Sequence, residues 1–156
     1  MAGPDHLTPR TRSLGRTRSP ATERAESVGL PPAVVFAAWA APATWSEWDP
    51  EVRSVTFDGP ATLGATGRLR PRSGPASSFT ITELRPDRVF TNTGRLPGAR
   101  LVFEHVVAPS GAGSTVTVTV GLQGALAPLL ARLMRRGMTD AARSSVEGLL
   151  GHLDAR

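Results

Sequence analysis

A long apolar stripe closes this chain, and it constrains the fold more than any other feature. From Gly124 to Leu153 large apolar residues recur at helical spacing: Leu126, Leu129, Leu130, Leu133, Met134, Met138, Val146, Leu149, Leu150 and Leu153. That i, i+3, i+4, i+7 pattern predicts one long C-terminal helix with a buried stripe. Pro128 falls in its opening turn, where a missing N–H costs least. Arg132, Arg135, Arg136, Asp140, Arg143 and Glu147 supply a polar face. Full burial of each Leu or Met would contribute about 1.5–3 kcal/mol at most. The stripe alone could therefore anchor the helix. Its middle is small, at Gly137, Ala141 and Ala142. Small residues on a buried face mean either close backbone packing or empty space.

Something must cover that stripe, and residues 52–122 supply a sheet. Their apolar period is two. Strands are expected at Val52–Phe57, Thr66–Arg72, Ser77–Leu84, Arg88–Thr93, Arg100–Val107 and Ser114–Leu122. Turn residues separate them, as in Asp58-Gly59-Pro60 and Leu96-Pro97-Gly98. The short connections predict an antiparallel meander. Val116, Val118 and Val120 should face the helix, and Thr115, Thr117 and Thr119 should face away. On the preceding strand Leu101, Phe103, His105 and Val107 share one face. Before the sheet, Ala21–Val28 reads as a weak strand. Pro31-Pro32 opens a short helix over Ala33–Ala40, and Thr44–Trp48 forms a second helical turn.

Composition narrows the chemistry. The 156 residues contain no Cys and no Tyr, so disulfides, thiolate metal sites and a Cys nucleophile are excluded. The net charge of +5 comes entirely from arginine on the basic side. Five arginines stand against Asp5 and Glu23 in residues 1–24, leaving the rest of the chain nearly balanced. Residues 1–20 are rich in Pro, Thr, Ser and Arg and are expected to form a disordered tail, with residues 21–156 as one domain. No basic stripe is interleaved with aromatics, so nucleic acid is not an expected partner. No apolar run approaches the roughly 18 residues that span a bilayer, so membrane insertion is not expected. No apolar segment follows the basic N-terminus, which makes the cytoplasm the expected location. The sequence leaves the oligomeric state open.

The element order carries a resemblance. The segments are Pro31-Pro32-Ala-Val-Val-Phe36, Trp45-Ser-Glu-Trp48-Asp49-Pro50-Glu-Val52, Phe79-Thr-Ile81-Thr-Glu-Leu84-Arg-Pro86, Leu101-Val-Phe-Glu-His105 and Gly113-Ser-Thr-Val-Thr-Val118. Over residues 22–154 this is similar to the SRPBCC (START-like, Bet v-like) superfamily, nearest to its polyketide cyclase/dehydrase and lipid-transport family. The resemblance implies an α+β helix-grip fold. In that fold a curved antiparallel sheet wraps a long C-terminal helix, with two short helices near the N-terminus. It also implies a hydrophobic cavity between helix and sheet.

Against that frame the candidate ligand-binding residues are Trp48, Arg68, Phe79, Phe90, Phe103, His105, Leu133, Gly137 and Ala141. Trp45 and Trp48 would stack on a ring or pin the short helix. Arg68 would bind a carboxylate if inward and be solvated if outward; Asn92 has the same two readings. His105 is the residue for proton transfer if the protein is an enzyme, with Glu83 as a possible carboxylate partner. No metal site is expected, because His6, His105 and His152 are far apart. No cofactor is expected either. The leading expectation is binding of a small hydrophobic, lipid-like or polyketide-like molecule. The alternatives are a cofactor-free cyclase or dehydratase, and an interaction domain with a vestigial cavity.

Overall fold

The structure is a computed structural model, and it describes residues 18–27 and 29–156. The chain runs β1 (Arg18–Ser27), α1 (Pro32–Trp39), a 3₁₀ turn (Pro42–Thr44), α2 (Trp45–Trp48), β2 (Val52–Thr56), β3 (Thr66–Pro71), β4 (Ser77–Arg85), β5 (Val89–Leu96), β6 (Ala99–Ser110), β7 (Gly113–Gln123) and α3 (Ala127–Asp154). One seven-stranded sheet forms in the order β1-β7-β6-β5-β4-β3-β2, every neighbouring pair antiparallel. The six expected strands of the meander and the three helices are all present. The α+β helix-grip architecture follows from them.

One boundary differs from expectation. Strand β1 begins at Arg18, so residues 18–20 of the expected tail belong to the sheet. Their composition reads as tail, but pairing with the apolar β7 overrides it, with Arg18 opposite Leu122. Residues 1–17, the rest of the expected tail, and Val28 lie outside the described residues. The β1–β7 crossing is tight. A Cβ on Gly113 would run into the Ser27 carbonyl, and the Ser114 hydroxyl donates to the Leu30 carbonyl at 2.6 Å.

Strand register sets which side chains face inward. Pairing aligns Phe79 with Gly94, Ile81 with Asn92, Phe90 with His105, and His105 with Val118. Those residues share the inner face with Val116, Val120 and Leu122, which are fully buried. Thr91 sits opposite Glu104 and Glu83 on the outer face. The three inward valines of β7 lie where the alternation put them.

The long helix corrects the single-stripe expectation. Its buried residues are Ala127, Ala131, Met138, Ala142, Ser145, Val146 and Leu149. Leu126, Leu129 and Leu133 are 46%, 56% and 74% exposed. Helix α3 packs on β1 and β7, and it reaches them at its N-terminal end through alanines. A close approach selects small residues, so the leucines of that half turn to other sides of the helix. In the C-terminal half, Val146 and Leu149 are the fully buried pair.

Candidate ligand-binding cleft

A second strip runs along α3 beside the buried one. Leu126, Leu130, Leu133, Gly137, Ala141, Ser144 and Gly148 follow one another at steps of four or three, which places them on one side of the helix. Both ends of the strip are anchored. The Leu126 N–H donates to the Gly98 carbonyl at 3.0 Å, and its side chain covers Gly98 so closely that a Cβ there would lie 2.6 Å from it. At the other end, a Cβ on Gly148 would run into the Trp48 carbonyl oxygen. The middle is different. No atom lies within 4 Å of the place a Gly137 Cβ would occupy.

The sheet below tells the same story. Helix α3 packs on β1, β7, α2 and α1, and β3 to β6 carry no comparable contact with it. On β6 the inner-face residues His105 and Val107 are buried, whereas Leu101 and Phe103 are only half-buried. Phe57 and Leu69, towards the β2 edge, are half-buried as well. A helix lying flush on this face would bury central-strand side chains completely. Those half-buried side chains and the exposed stretch at Gly137 outline a candidate cleft, with α3 held on either side of it at Leu126 and Gly148.

Its closed corner is aromatic. The His105 ring lies 5.2 Å from Trp39 and 6.0 Å from Phe90. Trp45 lies 5.2 Å from Phe79 and 5.9 Å from Phe90. The Trp45 indole N–H donates to the Trp39 carbonyl at 3.0 Å, tying the two short helical segments together. Gly67 has no side chain, which lets Phe57 stack on Phe79 at 6.0 Å.

His105 is a neutral group here. Its Nδ1 lies 3.0 Å from the Phe90 carbonyl, and a carbonyl can only accept, so Nδ1 carries the proton. Burial pushes its pKa down to about 4, against the opposing pull of backbone hydrogen bonds at Phe90 and Phe103. The expected carboxylate partner is absent. Glu83 lies on the outer face and pairs with Arg85 at 2.9 Å. Glu104 lies there too, its pKa raised by burial and by Glu83. Asp49 accepts from the Glu51 N–H at 2.9 Å, and burial raises its pKa to about 6. Its role is that of a turn residue, as the Asp49-Pro50 sequence suggests.

The remaining expected site residues divide. Trp48 is buried, and its backbone docks Gly148, so it stands where it pins α2 to α3 rather than at a mouth. Phe79 and Phe90 are buried core residues. Phe103 and Ala141 are half-buried, whereas Leu133 and Gly137 are exposed, so Gly137 does not lie on the buried face that the sequence suggested for it. Arg68 is exposed on the outer face, opposite Thr56 and Ser78, so it does not reach the cleft. Strand alternation turns it out because its neighbours Gly67 and Leu69 turn in. Gly148 escaped the sequence reading: nothing about a lone glycine in a helix identifies its contact. Asn92, which the sequence left beside Arg68 as undecided, is on the inner face and buried.

Comparison with known proteins follows the same outline. The family model described as polyketide cyclase/dehydrase and lipid transport matches residues 20–155. No curated protein matches the sequence. Among solved structures, a hypothetical protein of Helicobacter pylori superposes with a TM-score of 0.71 at 12% identity, over 97% of this chain and 98% of that one. The Zhui aromatase/cyclase from Streptomyces sp. R1128 gives 0.69 at 17% identity, over 90% and 96%. The protein Ara h 8.0201 gives 0.65 at 17% identity, over 88% and 99%. At such identities these likenesses speak for the fold alone.

Proposed function

The chain belongs to the polyketide cyclase/dehydrase and lipid-transport family, and from that premise we propose that it binds a small hydrophobic molecule between α3 and the inner face of β3–β6. One observation carries the reading. The α3 strip is anchored at Leu126 and Gly148 and exposed at Gly137, and the inner-face residues Leu101 and Phe103 of β6 are left half-buried. Apolar walls with a few polar groups are what a small-molecule site needs. The similarity to an aromatase/cyclase and the family's lipid-transport name agree with a hydrophobic occupant. No described helix is long and apolar enough to cross a membrane.

A catalytic version would use the imidazole of His105. A conjugate acid with a pKa of about 4 is a weak base at neutral pH, which favours binding over proton abstraction. The test is a tryptophan-fluorescence titration with fatty acids, isoprenoids and aromatic polyketides, each mixture then weighed by mass spectrometry. Trp39, Trp45 and Trp48 line the closed corner and are the chain's only tryptophans. Saturable quenching with unchanged ligand mass is the expected result. Loss of water, or a new isomer, that disappears in His105→Ala would make the protein an enzyme. Silence across the panel would contradict both and leave an interaction domain.

A further inference from the structure

We propose that Asn92 is the polar anchor of this cleft and that the occupant is an apolar molecule carrying a hydroxyl group. The inference rests on the cleft reading above and names its ligand class. Asn92 is placed inward by its register, opposite Ile81 on one side and Phe103 on the other. It is only 5% exposed, and its Oδ1 is fully buried without a hydrogen-bond partner among the described residues. A buried amide oxygen left unpaired is uncommon and unfavourable, and it points to a partner still to come.

The surroundings favour a ligand group as that partner. The inner-face neighbours of Asn92 along β5 are Phe90, which closes one side, and Gly94, which has no side chain to close the other. Beyond Gly94 the facing β6 residue is Leu101, half-buried at the open part of the cleft. The amide is therefore the one polar side chain between an aromatic wall and an opening. A carboxylate would set two acceptors against each other at Oδ1. A hydroxyl both donates and accepts, so it pairs with the amide in either of its two orientations.

The experiment compares 2-naphthol with 2-methylnaphthalene, two probes of nearly equal shape. An apolar cleft alone prefers the methyl compound, which is the more hydrophobic. Titration of the full chain should instead show 2-naphthol binding about tenfold tighter, the equivalent of one good hydrogen bond. Asn92→Leu should lose that preference and bind 2-methylnaphthalene at least as tightly as 2-naphthol. Equal binding of the two probes by the natural protein, or a hydroxyl preference that survives in Asn92→Leu, overturns the inference while leaving the cleft. Binding of neither probe overturns the cleft itself and the inference with it. If Asn92→Leu fails to fold, the probe pair on the natural protein still decides.

Discussion

Helix α3 packs on β1 and β7, and at Gly148, in its C-terminal half, it also meets the backbone of α2, whereas around Gly137 nothing lies against it. The two halves differ little in composition. Each has glycine, alanine and leucine. What separates them is the element opposite. Gly148 is a glycine because the Trp48 backbone occupies the place of its Cβ, and Gly137 meets nothing at all. Leu149 is fully buried, and Leu133 stands in solvent. The comparison teaches that a helix can be held at both ends and still leave a stretch between them clear of its neighbours. A site for a guest needs that combination.

Paired substitutions test this, and the leucines give the largest effect. Leu149→Ala should lose about 2–5 kcal/mol of unfolding free energy, the usual cost of a core cavity. Leu133→Ala should change it by no more than about 0.5 kcal/mol. Urea melts of both variants check the contrast, and similar losses would break it.

The glycines sharpen the same contrast with opposite signs. Gly148→Ala should destabilise by about 1–3 kcal/mol, because α3 and α2 must part to admit the methyl group. Gly137→Ala should stabilise by about 0.5–1 kcal/mol, since a helix interior prefers alanine and the added carbon meets nothing.

A subtler test uses pH, because each region holds one displaced group. His105 takes up a proton near pH 4 when folded and near 6.5 when unfolded. The unfolded chain therefore binds more protons between those values, and stability falls as pH drops through them. Asp49, at the end of α2, titrates near 6 when folded and near 3.8 when unfolded. Its contribution has the opposite sign: stability falls as pH rises from 3.8 to 6. The two oppose each other between pH 4 and 6, so the natural protein should lose less stability across that range than His105 alone would cost it. Asp49→Asn removes one slope and should expose the other, losing stability as pH falls from 6.5 towards 4. Parallel profiles for variant and natural protein would contradict this assignment.

Much of this was legible beforehand for a physical reason. Period two survives in β7 as alternating Val and Thr, so its buried face could be read directly. The turns carry their own chemistry in Asp58-Gly59-Pro60 and Leu96-Pro97-Gly98. The site was less legible. Helical spacing cannot say which of two apolar strips on α3 meets the sheet: it predicts burial for Leu133, which is exposed, and gives no weight to Ala127 and Ala131, which are buried. Arg68 and Asn92 each had two possible faces, and only register decided that one points out and the other in. Strand β1 starts earlier than its composition suggests because its partner, rather than its own residues, holds it.

The most direct measurement is methyl NMR of protein labelled at methionine. Met134 is half-buried next to the open strip, and Met138, one turn on, is buried between α3 and the sheet. Titrated with 2-naphthol, the Met134 methyl should shift saturably while Met138 moves far less. Binding that shifts Met138 and spares Met134, or that moves neither, would place the ligand elsewhere and contradict a cleft beside the open middle of α3.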